Sequence, residues 1–194
     1  MSDIIRTENS GGIARIQLNR PEKKNALSLD MYRSLTAAFA TAEEDPGVRV
    51  LLLHGTDDCF TSGNDLKDFM QADSSAGASP AMEFLEVISR AKKPVVAAVN
   101  GAAIGIGTTL LLHCDLVYAG QGAVFQLPFV NLGLCPEAAS SFLLAKLAGH
   151  RRAAELLLLG ERFTAEHARE IGLVNAVCPD GEVMEQATKQ ATAL

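Results

Sequence analysis

The chain has 194 residues, 48 % apolar and 21 % charged, enough for one well-buried α/β domain and too few for two. A net charge of −6, no Trp and 5 % aromatic residues argue against a nucleic-acid partner. Four Cys without a C-x-x-C pair, no basic-then-apolar N-terminus, and a longest apolar tract (95–112) broken by Asn100, Gly residues and Thr108-Thr109 predict a reduced, cytoplasmic protein with no zinc site, export signal or membrane span.

The elements follow in chain order. Alternation over 13–18 predicts an early strand. Ser28 is a plausible N-cap and Asp30 suits the first turn of an amphipathic helix reaching about Glu44. Asp45-Pro46-Gly47 turns the chain into a buried strand over 48–54, and 59–64 reads as a loop. The small, polar run 72–79 is the expected mobile segment, and Ser79-Pro80 starts a helix to about Ala91. A second buried strand spans 94–99, and Gly101 to Gly107 is a glycine-rich turn feeding a helix through His113, itself read as core or interface. Strands at 115–119 and 124–126 precede helices at about 137–148, 150–159 and 164–171, the last capped by Thr164. A short extended piece over 174–177 leads to a final helix over about 181–194. Strands alternating with helices imply an α/β fold with crossover connections. The final helix carries an apolar stripe (Val183, Met184, Ala187, Ala191, Leu194) that needs a cover, expected from a partner subunit or from further residues.

Two glycine-bearing segments follow buried strands. Asn100-Gly101-Ala102-Ala103-Ile104-Gly105-Ile106-Gly107 lacks the third glycine of G-x-G-x-x-G and the Gly-Lys-Ser/Thr of a phosphate loop. It reads either as a tight turn or as a helix start whose free N–H groups face a ligand. Ser62-Gly63-Asn64-Asp65-Leu66 reads either as an Asx-capped loop or as a second set of such donors, with Asp65 as a cap rather than an acid. Glu137 after Pro136 is ambiguous by position alone: it complements a helix dipole or acts as a base. His54, His113, His150 and His167 have no metal-ligand spacing, so no metal site is expected.

Taken together, Leu18-Asn19-Arg20-Pro21, Asn25-Ala26-Leu27, Ser62-Gly63-Asn64-Asp65-Leu66, Asn100-Gly101-x-x-Ile104-Gly105-x-Gly107 and Cys114-Asp115-Leu116 resemble, in order and spacing, the crotonase (enoyl-CoA hydratase/isomerase) superfamily. The likeness covers essentially the whole chain and implies a single domain over 1–194, a spiral of ββα units with a core at about 4–178. It also implies assembly as a homotrimer or hexamer. Members normally continue with further C-terminal helices, so the set here is expected to be cut short.

By resemblance, the backbone N–H groups of Asn64 and Ile106 form an oxyanion hole. Lys24, Ala26 and Leu27 lie along coenzyme A, with Lys23 or Lys24 near its phosphates, and Ser62, Gly63, Asp65, Leu66, Gly105 and Phe129 complete the substrate site. Coenzyme A enters as part of an acyl-CoA thioester, with no separate cofactor. Hydratases of this family carry two glutamates, at the positions held here by Thr109 and Phe129, neither of which is a general base near neutral pH. The stretch 129–141 instead resembles the Δ3,Δ2-enoyl-CoA isomerase branch, whose single catalytic Glu stands at Glu137. The resemblance therefore implies an enoyl-CoA isomerase of fatty-acid β-oxidation. The alternatives are a hydratase or another enolate-forming crotonase using a different base, and a catalytically silent acyl-CoA-binding module.

Overall fold

The computed structural model describes residues 4–71 and 79–194. Of the run expected to be mobile, 72–78 lies outside the described residues. The chain opens with an antiparallel hairpin, β1 (Ile5–Ser10) and β2 (Ile13–Leu18). The helix α1 (Leu29–Glu44) follows, and the Ser28 hydroxyl accepts the Met31 N–H at 3.2 Å, the cap expected from the sequence.

Three further turns of chain repeat one path. The strands β3 (Val50–His54), β5 (Val95–Val99) and β7 (Leu116–Gly120) lie parallel in a six-stranded sheet of order β1-β2-β3-β5-β7-β10, where β10 is Ala176–Cys178. Each is followed at once by a three-residue strand, β4 (Cys59–Thr61), β6 (Ala102–Ile104) or β8 (Val124–Gln126). These three run parallel in a second sheet, closed by antiparallel β9 (Arg162–Thr164). Helices return the chain to the first sheet: α2 (Leu66–Gln71) and α3 (Pro80–Ser89) after β4, and α4 (Ile106–Thr109) after β6; α5 (Ser140–Ala148) and α6 (His150–Leu159) lead from β8 to β9, and α7 (Ala165–Glu170) then leads back to β10. This is the ββα spiral that the resemblance implies.

The main core lies between the two sheets and under α1 and α3, where Phe39 meets Phe84 edge-to-face at 5.5 Å. The other face of the six-stranded sheet carries Ile13, Val50, Leu52, Val96, Ala98 and Tyr118. The last helix, α8 (Val183–Ala193), lays Val183, Ala187 and Ala191 on that face. The stripe expected to need a partner or further residues is thus mostly covered by the chain's own sheet, and Leu194 stays exposed.

Several expectations from the sequence need correction. The loop over 59–64 begins with β4, and the turn over 101–107 contains β6. The helix expected to run through His113 is α-helical only to Thr109 and finishes as a 3-10 turn, Leu110–His113. The helix expected from 137 starts at Ser140, because Ala138 and Ala139 hold left-handed backbone angles (φ +54° and +52°) that no α-helix accommodates. Glu137 therefore precedes α5 rather than opening it. No described helix is long and apolar enough to cross a membrane.

Candidate active site

Parallel strands bring their carboxyl ends together, so the chain leaving β4, β6 and β8 emerges along one edge of the second sheet. The segments that meet there are 62–65, 105–106 and 128–129. They line a cavity of about 490 Å³ together with Arg20, Lys23 and Ala26 from the loop before α1. Leu66, Ile104, Pro128, Phe129, Leu132 and Leu134 give it an apolar wall, while Arg20, Lys23 and Lys67 bring positive charge.

Buried Asn25 ties this loop to β4. Its Nδ2 donates to the Cys59 carbonyl at 2.8 Å, and its Oδ1 accepts the Arg20 N–H at 2.8 Å. The Thr61 hydroxyl donates to the Asn25 carbonyl at 2.7 Å and accepts the Gly63 N–H at 3.1 Å. Leu27 then pairs with the residues on either side of Asn64: its N–H donates to the Gly63 carbonyl at 2.8 Å and its carbonyl accepts the Asp65 N–H at 2.9 Å. In an extended segment the intervening N–H points the other way. The Asn64 N–H therefore turns from this pairing, and it has no hydrogen-bond partner among the described residues.

Gly63 adopts φ +97°, and a Cβ there would lie 2.9 Å from the Ile104 carbonyl oxygen. Only a bare backbone lets the two segments run this close. One residue beyond Ile104, Gly105 turns with φ +57° and Ile106 opens α4, its N–H also without a partner among the described residues. Two free amide donors thus sit on adjacent backbone runs, both lining the cavity.

Glu137 approaches from the segment before α5. The buried Thr109 hydroxyl donates to its carboxyl in a short contact, and the His113 Nε2 lies 2.9 Å from the Ala138 carbonyl. Burial pushes the Glu137 carboxyl above the usual carboxylate range, and the Thr109 hydrogen bond opposes that rise in part. Buried Tyr32 of α1 donates its hydroxyl to the Asn64 side-chain oxygen in another short contact. Its phenol is held well above the ordinary value, first by burial and then by the charge of the nearby Glu137. Glu137 is not among the cavity-lining residues; Thr109 bonds it to the helix that Ile106 opens, and Tyr32, bonded to Asn64, lies near enough to feel its charge.

Of the substrate residues expected from the resemblance, Ala26, Ser62, Gly63, Asp65, Leu66, Gly105 and Phe129 line the cavity. Leu27 does not; its side chain is in the core and only its backbone serves the site. Lys24 is exposed outside the cavity, and Lys23 takes the place at its wall. Asp65 acts as a cap, accepting the Lys67 N–H at 3.1 Å and an Arg20 hydrogen bond at 2.8 Å that holds its carboxyl below the usual range. The sequence reading missed Arg20, Tyr32 and the partnership of Thr109 with Glu137. Tyr32 had one visible signal, a polar-tipped aromatic on the buried stripe of α1. Among the described residues no three His, Cys, Asp or Glu side chains gather as a metal-ligand group.

Comparison with known proteins agrees with this architecture. The family model of enoyl-CoA hydratase/isomerase matches residues 8–194. The chain is 41 % identical over 182 residues to rat enoyl-CoA delta isomerase 2, covering 91 % of this chain and 46 % of that protein. It is 36 % identical to the mitochondrial enoyl-CoA hydratase of Pongo abelii, covering 92 % of this chain and 62 % of the relative. The chain thus spans roughly half the length of the curated relatives it matches. Among solved structures, Pseudomonas aeruginosa OdaA superposes with a TM-score of 0.95 at 48 % identity, over 99 % of this chain and 78 % of that one. The enoyl-CoA hydratase/isomerase of Pseudoalteromonas atlantica T6c gives 0.93 at 39 % identity, over 98 % and 77 %. With two main-chain donors side by side and a likeness running through almost every described element, the chain belongs to the enoyl-CoA hydratase/isomerase family.

Proposed function

We propose that the chain is a Δ3,Δ2-enoyl-CoA isomerase of fatty-acid β-oxidation, with Glu137 as the single base and acid. The observation that carries this reading is the identity of the groups around Glu137. Thr109 and Phe129 stand where a hydratase would carry its two carboxylates, and Glu137 is the carboxylate bonded to the helix that Ile106 opens. Relatives named as delta isomerases, at 41 % and 40 % identity, support the same reading.

The reaction moves a double bond from C3=C4 to C2=C3 of an acyl thioester. The Glu137 carboxylate removes a proton from C2, and the electron pair delocalises through the C3=C4 bond and onto the thioester oxygen. The Asn64 and Ile106 N–H groups receive that oxygen, an arrangement in which losing one donor costs about 3–4 kcal/mol. The carboxylic acid then returns the same proton at C4 while the thioester carbonyl reforms. A carboxyl raised by burial is a stronger base toward C2 and loses its proton less readily before C4 is reached. Coenzyme A enters only as part of the substrate, with Lys23 and Arg20 at the charged wall near its phosphates, and no separate cofactor is required. The reading includes a cytoplasmic enzyme assembled as a trimer or dimer of trimers, which sedimentation would check.

The test is a paired assay of 3-enoyl-CoA isomerisation and crotonyl-CoA hydration. Isomerisation should dominate and fall by about 10²–10⁴-fold in Glu137→Gln. Substantial hydration that survives Glu137→Gln would overturn the reading in favour of a hydratase using another base.

A further inference from the structure

We infer that Thr109 and His113 are positioning residues which hold Glu137, by side chain and by backbone, in register with the Ile106 N–H. The inference rests on the reading of Glu137 as the base. Ile106, Thr109 and His113 lie on one continuous helical run, α4 and the 3-10 turn after it. The Thr109 hydroxyl donates to the Glu137 carboxyl, that carboxyl's one hydrogen bond among the described residues. A carbonyl only accepts, so the His113 Nε2 at 2.9 Å from the Ala138 oxygen is a donor.

Between these two anchors the chain does something costly. Ala138 and Ala139 are consecutive left-handed residues without being glycine, a conformation that their Cβ atoms disfavour. Such a conformation persists only where its surroundings enforce it. The His113 bond fixes the first of the pair, and the Thr109 bond fixes the carboxyl just before it. The base is thereby tied at two points to the element that begins with the amide donor.

Of the titratable neighbours, Tyr32 from α1 feels the charge of Glu137, and His113 from the 3-10 turn bonds the carbonyl of the next residue, Ala138. Tyr32, held well above its ordinary value, stays neutral across the working pH range.

Thr109→Val keeps the shape and removes the hydroxyl; Thr109→Ser restores it. Thr109→Val should lower kcat for 3-enoyl-CoA by about 10–100-fold with KM within about threefold, the size expected of a displaced reacting group. The acid limb of its kcat–pH profile should move to higher pH, and Thr109→Ser should recover most of both. His113→Leu should lower kcat similarly, with His113→Gln, which retains a donor, as the rescue. A second readout needs no substrate: a 13C NMR titration of the Glu137 carboxyl, assigned through Glu137→Gln, should shift to higher pH in Thr109→Val and stay in place in Thr109→Ser. If Thr109→Val leaves that midpoint unchanged, or moves it without altering kcat, the assignment of Thr109 falls. Wild-type kcat in His113→Leu removes His113. If instead the midpoint moves as expected while Glu137→Gln keeps full activity, the contact to Glu137 is real and it is the isomerase reading that fails.

Discussion

Burial and one hydroxyl pull the Glu137 carboxyl in opposite directions, with burial the larger. Its folded-state pKa therefore lies above the unfolded value, and linkage gives the sign of the consequence. The group favours the folded protein below its unfolded pKa, and this contribution is lost as pH rises through the folded pKa. At neutral pH, holding an ionised carboxylate in this place costs stability, a common arrangement for a reacting group. The isosteric Glu137→Gln should therefore melt at a higher temperature than wild type near pH 7. The gap should close near pH 3.5, where both side chains are neutral. Thermal melts across that range check it, and a gap independent of pH would show that the carboxyl is not desolvated. Asp65 behaves oppositely. Its pKa is depressed by Arg20, so it supports folding above its unfolded pKa and loses that support as pH falls.

At the scale of elements, the site depends on strands too short to announce themselves. Helix α1 was legible because Ser28 caps it and its buried side chains recur along one face. The strands β4, β6 and β9 have three residues each, less than a period-2 pattern needs, and two of them sit within stretches whose glycines read as turns. Strand β1 was missed for another reason: it is an edge strand whose side chains are mostly exposed, so apolar alternation never develops. The late start of α5 was hidden because alanines, not glycines, carry its left-handed turn. The two glycine-bearing segments were legible as places of sharp turning or close backbone approach, which Gly63 and Gly105 mark, whereas the choice of Asn64 and Ile106 as donors came from the family resemblance. Gly63→Ala tests this directly. The new Cβ would press on the Ile104 carbonyl at 2.9 Å in a backbone conformation that alanine resists. We expect a stability loss of about 1–3 kcal/mol and a fall in kcat larger than any rise in KM, as the two amide runs separate. Denaturant melts and steady-state kinetics measure both, and unchanged kcat would mean that the Gly63 approach does not set the donor spacing.

Across the whole molecule, the six-stranded sheet separates two tasks. One face joins the core shared with the second sheet, whose strand ends build the site; the other, among the described residues, is covered by α8. The helix reaches its sheet through small side chains. Ala187 and Ala191 are fully buried opposite a surface that includes Ala98, so the helix axis lies close and leaves little room for growth. The sequence disclosed the stripe but not its partner. Any apolar surface satisfies a periodic pattern, and only the topology shows that this sheet has a second face to cover. The separation is testable with Ala187→Leu. Overpacking at such a contact costs about 1–3 kcal/mol, and at about 2–4 °C per kcal/mol for a chain of this size the melting temperature should fall measurably. Because the sheet lies between α8 and the cavity, kcat and KM at 25 °C should stay within about twofold of wild type. A large loss of kcat at a temperature where the variant remains folded would instead mean that the α8 layer is coupled through the sheet to the strand ends that hold the two amides.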